Sequence, residues 1–387
     1  MGTATEGFPR DLLSRAWTER LAYFQAYTVA HPLLVEAKQK LLNAIQEPVR
    51  NSLVMVLGPT GVGKTTLRIK TEQVLTKDLL SELEVDRARI PVVSVEAIAP
   101  PSGNFHWRDH FKRMLHAMDE PLVERKERLP LSSAASGIRF TRSPRVHGEE
   151  YHHAVEQALR FRRPAAVLID EAQHLAKIAS GRRLLDQLDV IKSIANCTRT
   201  VHVLFGTYDL LAFRNLSGQL SRRSVDVHFR RYQAERNEER RVFLNVICSF
   251  ERQVPLPEPP SLVENWDYLY ERSIGCVGIL KEWLVKTLAV LLRRASPKLT
   301  LGDLEEHALS VSQCEKMLAE ATEGEARLTE ADGARSRLRL ALGLTPGSQG
   351  SEKPVVSAPR RMRPGQRRPE RDPIGVSMAA HANSVAT

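Results

Sequence analysis

Apolar positions along the chain follow two periods. Leu33, Leu34, Ala37, Leu41, Leu42 and Ile45 recur at helical spacing, with Pro32 at the entrance and Pro48 beyond the end. Residues 1–48 therefore read as an N-terminal helical segment. Short apolar runs follow at Leu53–Leu57, Ile90–Val95, Ala165–Ile169, Val201–Phe205 and Val225–Phe229. The first and third are apolar throughout, which fits strands covered on both faces of a parallel sheet. Helices are predicted between the runs at Thr66–Leu83, Glu149–Phe161 and Leu184–Ala195. Strands alternating with helices give an α/β domain over residues 49–235, with a parallel five-stranded sheet and right-handed crossovers.

Two regions depart from this alternation. Residues 97–148 carry Pro100-Pro101, Pro121, Pro130, Pro144 and a Ser/Ala/Gly cluster, and read as an insertion or mobile loop holding one helix at Trp107–Met118. Beyond residue 236 the pattern is all-helical. Arg240–Phe250, Leu262–Ser273, Ile279–Arg293 and Leu301–Ala321 are the predicted helices of a smaller domain that ends near residue 342. Pro, Gly, Ser and Arg dominate residues 343–387, which read as a disordered basic tail, either a solvated end or an arm for DNA or a partner.

Charge adds a partner class. The formal net charge of +10 directs attention to a polyanion such as nucleic acid, the plainer reading being a soluble protein that is merely basic. The four cysteines form no CxxC pair, which argues against a zinc site or a disulfide framework and for a reducing, cytoplasmic setting. No run of about 18 apolar residues predicts a membrane span, so no membrane partner is expected.

Candidate chemistry begins after the first apolar run. Gly58-Pro59-Thr60-Gly61-Val62-Gly63-Lys64-Thr65 matches G-x-x-x-x-G-K-[ST] in full, between a predicted strand and a predicted helix. Such glycines let main-chain N–H groups turn toward phosphate oxygens, and the helix start adds its positive dipole end. Lys64 is placed to reach the β- and γ-phosphates of ATP, Thr65 to hold Mg²⁺, and Thr66 extends the binding segment. The third run delivers Asp170 and Glu171 at its carboxyl end. Asp170 is the second expected Mg²⁺ residue, and Glu171 is expected to orient the attacking water and accept its proton. Thr207 ends the fourth run, where it either contacts the γ-phosphate or attacking water or serves as a turn residue. Arg222 and Arg223 precede the fifth run, and read either as an arginine finger acting on a neighbour's nucleotide or as a solvated pair. Gly278 permits close packing at a helix start, and Lys281 either leans over the nucleotide or lies on the surface.

This order of parts resembles the AAA+ ATPases from about residue 33 to residue 320, with a C-terminal helical lid. There Thr207 matches sensor 1 and Arg222 or Arg223 the arginine finger. Lys281 lies near sensor 2, where the family's usual residue is arginine. Ile169-Asp-Glu-Ala-Gln-His174-Leu, Gln187–Asn196, Leu204-Phe-Gly-Thr207-Tyr-Asp, Gly218-Gln-Leu-Ser-Arg222-Arg223-Ser and Gly275–Trp283 resemble, more narrowly, the TnsC/TniB/MuB transposition ATPases. That resemblance implies a bacterial protein, nucleoid-associated when on DNA, that assembles head to tail with ATP as a ring or helical filament on duplex DNA. It also implies a transposase and a target-selector protein as partners, with hydrolysis driving disassembly. Arg108, Lys112 and Arg113 on the predicted helix, and Arg139, Arg142 and Arg145 in the insertion, are the candidate phosphate-backbone contacts. The alternatives are a helicase loader or replication-initiator-like adaptor, and a nucleotide-gated switch without turnover.

Overall fold

The computed structural model describes residues 7–47, 53–99, 105–126, 144–176, 181–215, 224–328 and 334–344. The chain divides into two compact units, Met1–Ala331 and Asp332–Thr387. The described part of the second unit centres on one helix, Ala334–Ala341. All that follows concerns the first.

Five parallel strands form its sheet: β1 (Leu53–Leu57), β2 (Val92–Glu96), β3 (Ala166–Asp170), β4 (Val201–Gly206) and β5 (Ser224–His228), in the order β2-β3-β4-β1-β5. β1 and β3 are buried at every position, as apolar sequences through Leu57 and Ile169 require, with Asp170 the buried polar end of β3, whereas edge strands β2 and β5 keep half-exposed residues. The period of two sends Leu53, Met55 and Leu57 into the core on one face and Val54 and Val56 into the core on the other. The first face is covered by α5 (Trp107–Ala117) and α6 (Pro144–Arg162), and the second by α2 (Pro32–Gln46) and α3 (Lys64–Asp78). The remaining helices of this part are α1 (Trp17–Ala26), α4 (Leu80–Val85), α7 (Gly181–Thr198) and α8 (Leu211–Asn215).

Register matters more than composition for the site. Leu57 pairs with Gly206 on one side and His228 on the other, and Glu96 pairs with Asp170. The loop after β1, the acids ending β3 and Thr207 after β4 therefore leave the sheet at one carboxyl edge. The reversal of strand order around β1 makes that edge the expected ligand crevice.

The lid consists of α9 (Asn237–Gln253), α10 (Trp266–Ser273), α11 (Val277–Arg293) and α12 (Leu301–His307), and α13 (Val311–Leu328) follows it. The lid core gathers Phe243, Phe250, Leu269, Leu280, Trp283 and Leu288, and α1 contributes Phe24 to it. The N-terminal segment is thus divided between two bodies: α1 packs with the lid, and α2 packs on the sheet. The break falls at Tyr27–His31. There His31 caps α2 by accepting from the Leu34 N–H, and Pro32 takes the first helical position.

Three sequence expectations need correction, and the first is Thr66–Leu83, which is two helices, α3 and α4, that meet at Leu79. The single helix predicted over Leu301–Ala321 is two helices. Thr300 and Asp303 form a capping box at the first, Ala308 turns extended, and Ser310 with Gln313 starts the second. The insertion also yields more structure than one helix. α6 begins at Pro144 rather than Glu149, and its Tyr151, Val155 and Leu159 are buried in the sheet core.

Candidate functional site

The loop after β1 closes tightly because its glycines admit no side chain. A Cβ at Gly58 would sit 2.1 Å from the carbonyl oxygen of Phe229. Gly61 and Gly63 take φ of +74° and +110°, the left-handed range that side chains avoid. Gly63 then caps α3, so the loop ends at a helix N-terminus pointing into the crevice.

Lys64 is the first residue of α3 and is buried. Its Nζ donates to the carbonyl oxygens of Gly58 at 3.0 Å and Pro59 at 2.8 Å. Burial pushes its pKa down to about 8, against the opposing pull of Glu171, Cys276 and Asp170. Asp170 is also buried. Its Oδ1 accepts from the Glu171 N–H at 3.0 Å, and its Oδ2 accepts from Arg68 Nε at 3.1 Å. Arg68 further donates to Ser94 and Glu72. Glu171 leaves the strand with φ of +52°, which turns its side chain off the strand line. Its Oε2 accepts from Gln173 Nε2. The Oε1 of the same Gln173 accepts from the Thr207 N–H at 3.3 Å, and Thr207 Oγ1 donates to Asp209 at 3.1 Å.

Lys64, Glu171 and Thr207 face one cavity of about 440 Å³, whose lining also includes Thr60, Gly61, Gly63, Thr65 and Thr66. Gly278, Lys281 and Lys286 of α11 close its far side. A second opening of about 220 Å³ gathers Thr65, Arg68, Ser94, Glu96, Asp170 and Glu171. Its hydroxyl and carboxylate oxygens are the hard donors that suit Mg²⁺. Among the described residues, no group of three or more His, Cys, Asp or Glu side chains could hold a metal by itself.

The lid meets the loop through backbone. The Ile279 N–H donates to the carbonyl oxygen of Gly61 at 3.0 Å. A Cβ at Gly278 would stand 2.3 Å from that same oxygen. Beside this contact lies a smaller recess of about 100 Å³, whose lining includes Tyr27, Thr28, Val29, His31, Val62, Phe229, Val277 and Lys281. His31 Nδ1 and the Tyr232 hydroxyl lie 2.9 Å apart, and the imidazole stacks on Phe229 with 18° between the planes. Burial pushes the His31 pKa down to about 4, so the ring is neutral near pH 7.

Lys281 lines both spaces, but its Nζ is turned toward α1. It donates to the carbonyl oxygen of Phe24, in the last turn of that helix, and lies 3.6 Å from the Phe24 ring centroid. Burial pushes its pKa down to about 7. Lys281 therefore pins α1 to the lid, and it is not the exposed lysine that the sequence left open.

Arg222 and Arg223 lie outside the described residues, as do Arg139 and Arg142. The side chain of Arg145 is likewise outside the description. Of the remaining DNA candidates, Arg108 and Lys112 both lie over the Tyr151 ring, at 5.7 and 5.3 Å from its centroid. Lys112 also pairs with Glu124, and Arg113 pairs with Asp109 at 2.7 Å. None of the three lines the nucleotide-sized cavity.

Sequence reasoning gave no role to Arg68, Gln173 or the Tyr27–His31 link. Gln173 stood inside a quoted block, and His31-Pro32 carried the signal of a cap at a helix entrance. Arg68 carries no local signal.

Residues 48–213 match the family model described as AAA domain. No curated protein matches the chain. Among solved structures, the chain is similar to the Aeropyrum pernix ORC2 protein in ADPNP–ADP complexes, at 14% identity and a TM-score of 0.48, covering 83% of this chain and 84% of that one. It is also similar to a Walker-type ATPase of Pyrococcus abyssi, at 17% identity and a TM-score of 0.38, with 79% and 75% covered. Domain III of the Thermotoga maritima replication initiation protein DnaA matches at 13% identity and a TM-score of 0.37, with 77% and 95% covered. No described helix is long and apolar enough to cross a membrane. The strand order, the glycine loop at the carboxyl edge and the matched AAA domain together give this chain an AAA+ P-loop NTPase fold.

Proposed function

We propose that the chain binds ATP with Mg²⁺ in this crevice, hydrolyses it, and uses the cycle to assemble on duplex DNA as a regulator of transposition. The observation that carries the chemistry is the convergence of Lys64, Thr65, Glu171 and Thr207 on one cavity at the carboxyl edge of the sheet.

The triphosphate lies along the loop, where the N–H groups at the start of α3 and the ammonium of Lys64 meet its oxygens. Lys64 exchanges two carbonyl acceptors for phosphate oxygens, and its burial strengthens that attraction. Thr65 and Asp170 would hold Mg²⁺, which would supply charge neutralisation at the phosphates. Glu171 orients a water toward the γ-phosphorus and takes its proton as the O–P bond forms and the bond to ADP breaks. Thr207 holds the water or a γ-phosphate oxygen from the opposite side. The base sits between the Tyr27–His31 link, Val62 and Val277.

The finer reading rests on the transposition-type blocks around Gln173, Thr207 and Gly278 and on the basic charge. A trans-acting Arg222 or Arg223 requires a head-to-tail neighbour, hence a ring or filament. A transposase and a target selector are the partners this reading names. Electron microscopy of the protein with duplex DNA tests it. Rings or filaments with a slowly hydrolysed ATP analogue, and none with ADP, are expected. Identical particles with either nucleotide contradict ATP-gated assembly.

A further inference from the structure

The chemistry proposed above gives the buried Gln173 no task. Gln173 follows the acid pair by two residues and is only 7% exposed. It does not line the main cavity that Glu171 and Thr207 share. It stands behind both of them, in an adjoining cleft with Pro59, Thr60 and Tyr208.

Both ends of its amide are used, and chemistry fixes which way it points. The Thr207 N–H can only donate, so it takes the amide oxygen, at 3.3 Å. The ionised Glu171 carboxylate can only accept, so it takes the NH₂. A flipped amide would face donor to donor and acceptor to acceptor. The space is kept clear by Gly206, where a Cβ would stand 2.7 Å from Gln173 Oε1. The backbone contributes as well, because Glu171 leaves β3 in the left-handed region and turns its side chain toward this amide.

We infer that Gln173 is a positioning residue, which fixes the Glu171 carboxylate relative to Thr207 so that both meet the same water. One carboxylate oxygen, Oε2, is held by the amide, leaving Oε1 for the water. The two groups come from different strands, β3 and β4, and the amide ties their spacing across the sheet edge. Such outer partners govern rate by orientation, without touching substrate. The inference rests on hydrolysis through Glu171.

The test compares steady-state ATP turnover, ATP affinity and thermal melting for the full chain and three variants. Gln173→Glu keeps the shape and the acceptor for Thr207 but, while ionised, cannot donate to Glu171. Gln173→Met keeps the bulk and makes neither bond. Glu171→Gln is the control for the underlying chemistry. The expected result is a fall in kcat of about tenfold to a hundredfold for both Gln173 variants. KM, ATP affinity and melting temperature should stay close to the parent. Parental kcat in Gln173→Met, with Glu171→Gln inactive, overturns the positioning role and leaves hydrolysis through Glu171 standing. A loss of affinity or melting temperature as large as the loss of kcat also overturns it, since Gln173 would then be structural. Parental turnover in Glu171→Gln overturns both this inference and the reading beneath it.

Discussion

The crevice has two halves built on different plans. The phosphate half comes from the contiguous stretch Gly58–Thr66 and the adjacent pair Asp170 and Glu171, all at one sheet edge. The other half, where we place the base, is assembled from three distant segments: the link Tyr27–His31, the residues after β5 around Phe229, and the start of α11 at Val277 and Gly278. The two meet at one backbone bond, from Ile279 N–H to the Gly61 oxygen. Chemistry that needs fixed charges within one loop is held by local sequence. A shaped recess can be held by whatever elements the tertiary fold brings together.

Breaking the phosphate half has the largest expected effect. Lys64→Ala removes the one ammonium aimed into the loop, and at least about a hundredfold loss of ATP affinity is expected from charge-assisted bonds. Isothermal titration measures it, and affinity within a few-fold of the parent contradicts this account. The junction comes next. Gly278→Ala places a Cβ where the Gly61 oxygen stands, so the lid must back away from the loop. Overpacking of this kind costs about 1–3 kcal/mol, which, if it falls on the bound state, corresponds to roughly fivefold to a hundredfold in ATP affinity. Unchanged affinity would show that the lid contact contributes nothing to binding.

The base half is softer. His31→Ala loses the bond to Tyr232 and the stack on Phe229. About a fivefold rise in KM for ATP is expected, with a smaller change in kcat. An effect mainly on kcat would place His31 with the chemistry instead. The smallest effect at neutral pH concerns stability. Burial holds His31, His110 and His202 at pKa values of about 4, against 6.5 when unfolded. Each is therefore favoured neutral in the fold. The stability this represents is intact above pH 6.5 and is lost as pH falls toward 4, up to about 3 kcal/mol per histidine. Denaturant unfolding between pH 7 and pH 4 should show the decline, with a smaller one in His31→Ala. A flat profile contradicts the buried, neutral state.

Legibility in the sequence divides along the same line. Apolar runs marked β1 and β3 through Ile169, because strands buried on both faces favour apolar residues throughout. The loop was readable because main-chain geometry demands glycine at fixed positions. The helix break at Ala308–Ser310 was hidden, because leucine and alanine spacing continued across the Ser310–Gln313 cap. Lys281 reads as a surface or nucleotide-facing lysine until the fold places the Phe24 carbonyl beside it. Gln173 and Arg68 act through partners on other strands, and no local pattern encodes a partner that pairing and packing must supply. The base recess was unreadable for the same reason.

The claim at the centre is that the phosphate half does chemistry as well as binding, and Glu171 carries it. The most direct measurement is ATP binding and ATP turnover on one preparation of Glu171→Gln. Binding close to the parent with turnover reduced at least about a hundredfold is the predicted result. Turnover at the parental rate would contradict it and leave the crevice a site that holds nucleotide without acting on it.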